Sequence, residues 1–379
     1  MIRIQVPCAQ LDTASEVARA GLPADLAFCH PDIAGVVSID AHAVTLSARA
    51  DSADLRAQVE RVVDLSIRSY RFVREAPPLW ERRALDRYVE GGARLPAFLA
   101  AHTIELGPGQ YALVGPAAEL RTFVDQRLRA IATTVGAESW HLPSIEQTED
   151  VIRDTGYLAS HGQYVTFGYH LPCHFGQLAT FTADVRAKRL AWPEPEHGLV
   201  PAGFILEPFV CHNVYRALRG ARVASGRVIT ALGTCYRHEG FRFAPLLRQW
   251  EFSMREVVLV GSAAYVADVR AQLVALTQEL AAELDLDARL EIATDPFFVS
   301  DAASARTYQA MRSTKLELKL GIDATTTTAA GSFNLHGDHF TSPMVISGPS
   351  GVPVETACIA FGIERWMAAI VARWGGMPH

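Results

Sequence analysis

The hydrophobic pattern divides the chain into a short first part of mixed strands and helix and a longer second part. In residues 1–100, apolar residues at helical spacing predict a helix over 53–73. Three short apolar or alternating runs predict strands: Ile2–Val6, Gly35–Ile39 and Ala43–Ala48. Proline and glycine pairs follow the helix and indicate a boundary. We therefore expect a small N-terminal α+β domain over 1–100 and a second domain over 101–379.

The second part alternates long helices with apolar strands. Two amphipathic stripes predict helices: 120, 123, 124, 128, 131 and 135, and 266, 269, 273, 276, 280 and 284. The last apolar run, ETACIAFG, leads directly into a helix with its own apolar stripe. The regular βαβ alternation of a doubly wound parallel sheet is missing from this pattern. It favours the α+β class, with an antiparallel sheet flanked by helices.

Composition narrows the class of protein. The 379 residues are 49% hydrophobic and 20% charged, with a net charge of −6, which is typical of a globular protein and argues against a general nucleic-acid binder. No apolar run approaches the roughly 18 residues of a membrane span, and the start MIRIQVPCAQLD lacks the layout of a signal peptide. We expect a cytoplasmic protein without a membrane partner, whose six scattered cysteines are free thiols or metal ligands.

One stretch, TCYRHEGFRFAPLLRQWEFSMREVV over 234–258, combines fixed charges with aromatic residues in two predicted strands joined by a loop. Alternation along the first strand places Arg237 and Glu239 on one face. One interpretation is a solvated hairpin with cross-strand ion pairs. The other is a nucleotide site, since guanidinium groups bind phosphate and aromatic rings stack on bases. The rings placed among the charges favour the nucleotide site.

The same stretch carries a family resemblance. YRHE, a loop and LRQWEFSMRE resemble motif 2 of the class II aminoacyl-tRNA synthetases, and GIERW at 362–366 resembles their motif 3. The helix before Gly136 and the segment as far as Pro143 are similar to motif 1, the dimer element. The three motifs occur in the family's order over roughly 115–379. The resemblance implies the class II antiparallel sheet flanked by helices, and a homodimer.

The resemblance also implies roles for individual side chains. Arg237 would bind the α-phosphate of ATP and the carboxylate of an amino acid, and with Arg365 it would be catalytic. Arg248 and Arg365 would bind the outer phosphates. Glu239 would meet the adenine amino group, and Phe252 would stack on adenine. Fixed cations suit this chemistry because a carboxylate must attack a phosphate, so two anions must be brought into line.

Within class II the chain most resembles the seryl-type core, with two cysteines that the ordinary seryl enzyme lacks. Cys211 in LEPFVCHNVY, Glu256 at the end of motif 2 and Cys358 in TACIAFGIERW are similar to the Cys, Glu, Cys zinc ligands of two groups. These are the atypical methanogen seryl-tRNA synthetases and the bacterial amino acid:[carrier protein] ligases. Three protein ligands leave one position open, which in that family takes the substrate's amino group. The alternative is that both cysteines are ordinary buried thiols.

A second polar segment, FNLHGDHF, resembles the lining of the ligases' amino-acid pocket. It assigns Asn334, His336 and His339 to substrate binding, although Asp338 and the two histidines are also a rival metal site. Mg²⁺ is expected with ATP. Thr328 stands where seryl enzymes place a magnesium-binding glutamate, so the magnesium ligands are not assigned.

Residues 1–100 lack the sustained heptads of the coiled-coil arm with which seryl-tRNA synthetases bind tRNA. The favoured function is therefore activation of a small amino acid (glycine, alanine or serine) as its adenylate and transfer to the phosphopantetheine thiol of a carrier protein. tRNA is not expected as a partner. Two alternatives stay open: an unusual seryl-type enzyme that charges tRNA, and a non-catalytic synthetase paralogue. The N-terminal domain is either a docking module or a structural cap.

Overall fold

The computed structural model describes residues 1–71, 73, 76–84, 91–189, 198–295, 306 and 313–378. Its helices are α1 Glu16–Leu26, α2 Ala53–Ser69, α3 Arg94–His102, α4 Pro116–Thr134, α5 Thr148–Asp154, α6 Tyr157–His161, α7 Phe175–Arg186, α8 Cys211–Ala217, α9 Ala263–Glu283 and α10 Ile363–Trp374. Within the described residues, no helix combines the length and the apolar content that a membrane crossing requires.

The strands are β1 Ile2–Pro7, β2 Ile33–Ile39, β3 Ala43–Ala48, β4 Trp80–Arg82, β5 Thr103–Gly107, β6 Gln110–Leu113, β7 Glu138–Ser139, β8 Ile145–Gln147, β9 Phe167–His170, β10 Val200–Leu206, β11 Arg227–Tyr236, β12 Glu251–Gly261, β13 Ala288–Ile292, β14 Lys315–Gly321, β15 Thr327–Gly337 and β16 Glu355–Gly362. β5 and β6 form a hairpin, and β8, β10 and β9 form a small antiparallel sheet.

The N-terminal part is an antiparallel sheet in the order β1-β3-β2, packed with α1 and α2. Each helix begins at a serine cap: Ser15 Oγ accepts a hydrogen bond from the Ala18 amide, and Ser52 Oγ accepts one from the Leu55 amide. The buried faces form a core of their own, which we call the N-terminal core: Ile4, Val6, Cys8, Leu11, Leu22, Leu26, Ile33, Val44, Leu46, Ala48, Leu55, Val59 and Val63. The strands lie where the alternation predicted them.

The second part is built on an eight-stranded sheet in the order β4-β13-β14-β15-β16-β12-β11-β7. All of its pairs are antiparallel except β11 with β7. Helices α4, α9 and α10 pack on one face, where Val257 and Leu259 of β12 join the largest apolar core. The alternate residues Glu256 and Val258 therefore face the other side, toward α8. The predicted α+β class with a flanked antiparallel sheet is confirmed.

Part of the first hundred residues lies with this large sheet. β4 pairs with β13, and the Leu79 amide donates a hydrogen bond to the Leu290 carbonyl oxygen. In α3, Leu95 and Phe98 are buried in the core of the large sheet. The division of the chain at residue 100 stays a prediction.

The charged stretch differs from its predicted form. β11 ends at Tyr236 and β12 begins at Glu251, so Arg237 and Glu239 do not share the face of a strand. They belong to a loop over 237–250, which we call the nucleotide loop after the site that the sequence predicts there. The Arg237 amide still donates to the Trp250 carbonyl oxygen at 3.0 Å. On the side away from β12, the Tyr236 amide donates to the Glu207 carbonyl oxygen, and the His238 amide donates to that of Tyr164.

Another charge in this stretch is structural. The guanidinium of Arg255 on β12 donates two hydrogen bonds to the carboxylate of Asp125 on α4, at 2.8 and 2.9 Å. Both groups are mostly buried, and the bidentate geometry ties the motif 1 helix to the motif 2 strand.

Candidate active site and metal centre

Two thiols and one carboxylate meet on the face of the large sheet that is opposite α9 and α10. Cys211 is the first residue of α8, Glu256 lies on β12 and Cys358 lies on β16. Their ligand atoms are all within 4.8 Å of one another, and all three residues are buried. No other group of three metal-binding side chains converges in this way among the residues that the structure describes.

The register of two strands explains the meeting of Glu256 and Cys358. Val258 is directly opposite Cys358 in the antiparallel pair, so Glu256, two residues away on the same face, is its diagonal neighbour. Cys358 Sγ lies 3.0 Å from Glu256 Oε2. The other carboxylate oxygen accepts a hydrogen bond from the Val210 amide at 3.0 Å, which orients the carboxylate beside the start of α8.

Burial works against ionisation of these three acids. Burial raises the pKa of Glu256, and the hydrogen bonds from Cys358 and Val210 offset only part of this rise. Burial also raises the pKa of Cys211 well above the usual range. For Cys358, a hydrogen bond with Cys211 lowers the pKa, while burial and the charge of Glu256 raise it to about 12. A divalent cation would remove this conflict by stabilising the thiolates. Two thiolates and a carboxylate at these separations fit the ligand set of Zn²⁺.

Two of the three residues assigned to substrate binding lie beside this cluster. Asn334 is directly opposite Cys358 in the β15–β16 pair. His336 Nδ1 lies 3.3 Å from the hydroxyl of Tyr215, a buried residue of α8, and burial lowers the pKa of His336 to about 3. His339 is past the end of β15, and its Nε2 lies 3.1 Å from the Thr155 carbonyl oxygen.

The rival metal site is not formed. His336, Asp338 and His339 are not among the groups of described residues whose ligand atoms converge. The two histidines instead contact a tyrosine hydroxyl and a backbone carbonyl oxygen.

The residues assigned to ATP lie at the adjoining ends of β11, β12 and β16. The guanidinium carbon of Arg237 lies 5.2 Å from the centre of the Phe252 ring, and Arg237 Nε donates a hydrogen bond to the Pro208 carbonyl oxygen. Glu239, only 6% exposed, accepts hydrogen bonds from Arg242 and Arg248 at 2.9 and 3.0 Å. The side chain of Arg248 is 40% exposed, so this arginine reaches the surface.

Arg365, at the start of α10, completes the cationic group. Its guanidinium donates hydrogen bonds to the carbonyl oxygens of Leu247 and Ala329 at 3.0 and 2.9 Å. Burial and the nearby charges of Arg248 and Arg237 lower its pKa to about 10, while Glu239 opposes them. Arg237, Arg248 and Arg365 lie close enough for their charges to repel one another, and this cationic group can receive a polyanion.

Sequence reasoning missed a buried polar network next to this site. Glu146 and Glu207 are each 1% exposed. Asn213 Nδ2 donates to Glu207 Oε1 at 2.8 Å, and His212 Nδ1 lies 3.3 Å from Glu146 Oε2. Burial, followed by the charges of Glu146 and Glu256, raises the pKa of Glu207 to about 10. The sequence offered one signal, the charged Glu207 within the apolar run FILEPFV. This run has no helical or strand periodicity, so the pattern does not show that Glu207 is buried.

Sequence comparison finds relatives of known function for part of this chain. No family model matches the chain. The amino acid–[acyl-carrier-protein] ligase 2 of Bradyrhizobium diazoefficiens is 35% identical over 182 residues, which are 47% of this chain and 53% of the relative. The type-2 serine–tRNA ligase of Methanocaldococcus jannaschii is 30% identical over 181 residues, 46% of this chain and 35% of the relative. The chain therefore spans about half the length of the first relative and about a third of the second.

Solved structures show the fold. The seryl-tRNA synthetase of M. kandleri, solved in complex with A. aeolicus tRNASec, superposes with a TM-score of 0.69 at 21% identity. The superposition covers 93% of this chain and 73% of the other. The chain is thus class II synthetase-like: it has the fold of the class II aminoacyl-tRNA synthetases, and its sequence relatives include amino acid–[acyl-carrier-protein] ligases and type-2 serine–tRNA ligases.

Proposed function

We propose that this protein activates a small amino acid with ATP as its aminoacyl-adenylate and transfers it to the phosphopantetheine thiol of a carrier protein. The observation that carries the proposal is the position of the Cys211, Glu256 and Cys358 cluster beside the arginines of motifs 2 and 3. Arg237 is close enough for its charge to lower the pKa of Glu256, against the larger raising effect of burial. One site can therefore hold the amino acid and the α-phosphate together.

Each charged group then has a defined task. Arg237 binds the α-phosphate and the substrate carboxylate, while Arg248 and Arg365 bind the outer phosphates. Glu239 accepts a hydrogen bond from the adenine amino group, and Phe252 supplies the stacking face. A carboxylate oxygen of the amino acid attacks the α-phosphorus and pyrophosphate leaves. Fixed guanidinium groups favour this step because they neutralise the approaching anions without reorganising. In the second step the carrier thiol, as its thiolate, attacks the acyl carbon and AMP leaves.

The metal cluster accounts for selection of the substrate. Zn²⁺ bound by Cys211, Glu256 and Cys358 would supply an open position for the amino group of the amino acid. Asn334 and His336, beside the cluster, and His339, past the end of β15, are proposed to bind the substrate. The open metal position and the resembled family favour glycine, alanine or serine. Mg²⁺ accompanies ATP, and its ligands are not assigned.

The assembly and the location of the protein are part of the same proposal. The helix α4 and the segment that follows it correspond to motif 1, so the protein is proposed to be a homodimer. Residues 1–100 are proposed as a separate N-terminal domain, and the cytoplasm is the proposed compartment.

Transfer to tRNA is the second candidate function. Type-2 serine–tRNA ligases are among the relatives, and a superposition on 93% of the chain must include most of residues 1–100. The N-terminal part therefore has a structural counterpart in an enzyme that was solved with tRNA. A non-catalytic paralogue is disfavoured, because Arg237, Glu239, Arg248 and Arg365 are all retained in one cluster.

The test combines activation with transfer. Exchange of pyrophosphate into ATP is measured with each of the twenty amino acids and without tRNA, and small amino acids are expected to support it. Mass spectrometry of phosphopantetheinylated carrier proteins then detects the aminoacyl thioester, with the unmodified apo carrier as control. Acylation of tRNA but of no carrier would establish the second candidate, and the absence of exchange with every amino acid would favour the paralogue.

A further inference from the structure

The N-terminal part touches the nucleotide loop, residues 237–250, directly. The half-buried Phe28 follows α1, and its ring does not belong to the N-terminal core. It makes edge contacts with the rings of Tyr164 and His238, with centroids 5.3 and 5.6 Å away. His238 in turn stacks on Trp250 at 5.1 Å. One aromatic residue of the N-terminal part thus packs on the chain neighbour of Glu239.

Gly240, on the other side of Glu239, lies against the backbone of Ala27 at the end of α1. Gly240 has a φ of +65°, and a Cβ at this position would lie 2.8 Å from the Ala27 carbonyl oxygen. Only glycine permits this conformation and this approach of two backbones. The next residue, Phe241, packs against the N-terminal core. Contacts at His238, Gly240 and Phe241 therefore bracket Glu239.

An electrostatic interaction also connects the same two parts. Arg242, which donates to Glu239 Oε2, is close enough to Asp25 of α1 for its charge to act on that carboxylate. Asp25 accepts a hydrogen bond from Ser66 of α2 at 2.6 Å, so it is fixed within the N-terminal part. Further along the chain, the guanidinium carbon of Arg306 lies 4.2 Å from the centre of the Tyr70 ring.

We propose that the N-terminal part is a positioning element of the nucleotide site: Phe28 and the end of α1 hold the nucleotide loop in the conformation that presents Glu239 to the base. The inference rests on the proposed function, because Glu239 reads the adenine amino group only if ATP is the ligand. It differs from a docking module or a structural cap, since both would leave recognition of the base unchanged. Phe28 acts through His238 and is a positioning residue, not a catalytic one.

The experiment compares Phe28→Ala with wild type in the full-length protein. Calorimetry measures the Kd for ATP and for inosine triphosphate, which carries a carbonyl where adenine has its amino group. Two edge contacts between rings are lost, so the Kd for ATP is expected to rise about tenfold. The preference for ATP over inosine triphosphate is expected to fall, while the KM for the amino acid in pyrophosphate exchange stays unchanged. Phe28→Tyr keeps the ring and should restore both values.

Val37→Ala is the matched control. Val37 is an apolar residue of β2, 44% exposed, and belongs to none of these contacts. Melting curves identify variants that lose the fold, and Phe28→Leu, which keeps apolar volume without a ring, replaces Phe28→Ala if that variant is unfolded. Unchanged ATP affinity and base preference in a folded variant overturn the positioning role alone. Wild-type protein that binds no ATP overturns the proposed function and this inference with it, whereas ATP binding without transfer to a carrier leaves the inference standing.

Discussion

Cys358 Sγ lies 3.0 Å from Glu256 Oε2, and the two residues belong to neighbouring antiparallel strands. Strand pairing brings these two residues together and the Val210 amide orients the carboxylate, whereas Cys211 reaches the same point from the first turn of α8. Two strands and one helix therefore set the positions of the proposed metal ligands. We expect the ligands to be preorganised, and loss of one ligand to remove the metal without unfolding the large core.

Cys358→Ala should release the metal and abolish amino-acid activation while leaving ATP binding intact. The wild-type protein should contain one zinc per chain, with only a modest fall in melting temperature in the variant. Elemental analysis, calorimetry with ATP and pyrophosphate exchange measure the three properties. Cys235→Ala is the control, because Cys235 is also a fully buried thiol, on the neighbouring strand β11, but lies outside the cluster. Zinc-free wild type with full activity would contradict the assignment.

Metal affinity should rise with pH. Burial raises the pKa of Cys211, and the pKa of Cys358 is about 12, so both thiols hold their protons at neutral pH when no metal is bound. Binding must release these protons, and the logarithm of the apparent affinity should increase by about 2 per pH unit between pH 6 and 8. Competition with a chromophoric chelator measures the slope. A flat profile would show that the thiols are not ligands.

Arg237→Ala should reduce pyrophosphate exchange about 100-fold or more, since the guanidinium lost is the one assigned to the α-phosphate. Arg227→Ala is the matched control: Arg227 is the first residue of β11, at the end far from Arg237, and pairs with the exposed Glu138. Exchange at the wild-type rate in the Arg237 variant would remove the nucleotide loop from the reaction.

Glu207 should give stability a pH dependence. Burial and neighbouring carboxylates raise its pKa to about 10, so the folded state holds this proton more tightly than the unfolded state does. The contribution of Glu207 is fully present below the ordinary carboxyl pKa and is lost as pH rises toward 10, so the free energy of unfolding should fall over that range. Glu207→Gln keeps an acceptor for Asn213 and should flatten the curve. If the melting temperatures of wild type and Glu207→Gln fall in parallel from pH 5 to 9, this prediction is wrong.

Self-association is the remaining test. Sedimentation at micromolar concentration should show a dimer, because the motif 1 helix α4 joins two subunits in the resembled class. Arg129→Glu, on the exposed side of α4, should weaken the dimer, because a two-fold interface contains each substitution twice. Arg3→Glu, at an exposed position of β1, is the control. A wild-type monomer would exclude the interface.

The sequence was informative where local patterns carry the structure. Periodic apolar residues predicted α9, and the same reasoning placed β3 at its observed bounds. The Cys, Glu, Cys set was found because two of its members flank recognisable motifs. The loop position of Arg237 was missed, because the alternating pattern continues through Glu239 and does not mark the end of β11 at Tyr236. The contact of Phe28 with His238 was also beyond reach, since it joins residues 210 positions apart with no shared pattern.

The pairing of β4 with β13 has a consequence for protein engineering. Trp80–Arg82 cover the outer side of β13, whose backbone groups would otherwise be open to pairing with another chain. A deletion that begins the protein at residue 101 would therefore leave an unpaired strand and expose Trp80's partners in the apolar core. Such a fragment should aggregate through β13. A fragment that begins before Leu79 would retain this protection and also the buried Leu95 and Phe98 of α3, so the solubility of a shortened protein depends on keeping β4 and α3.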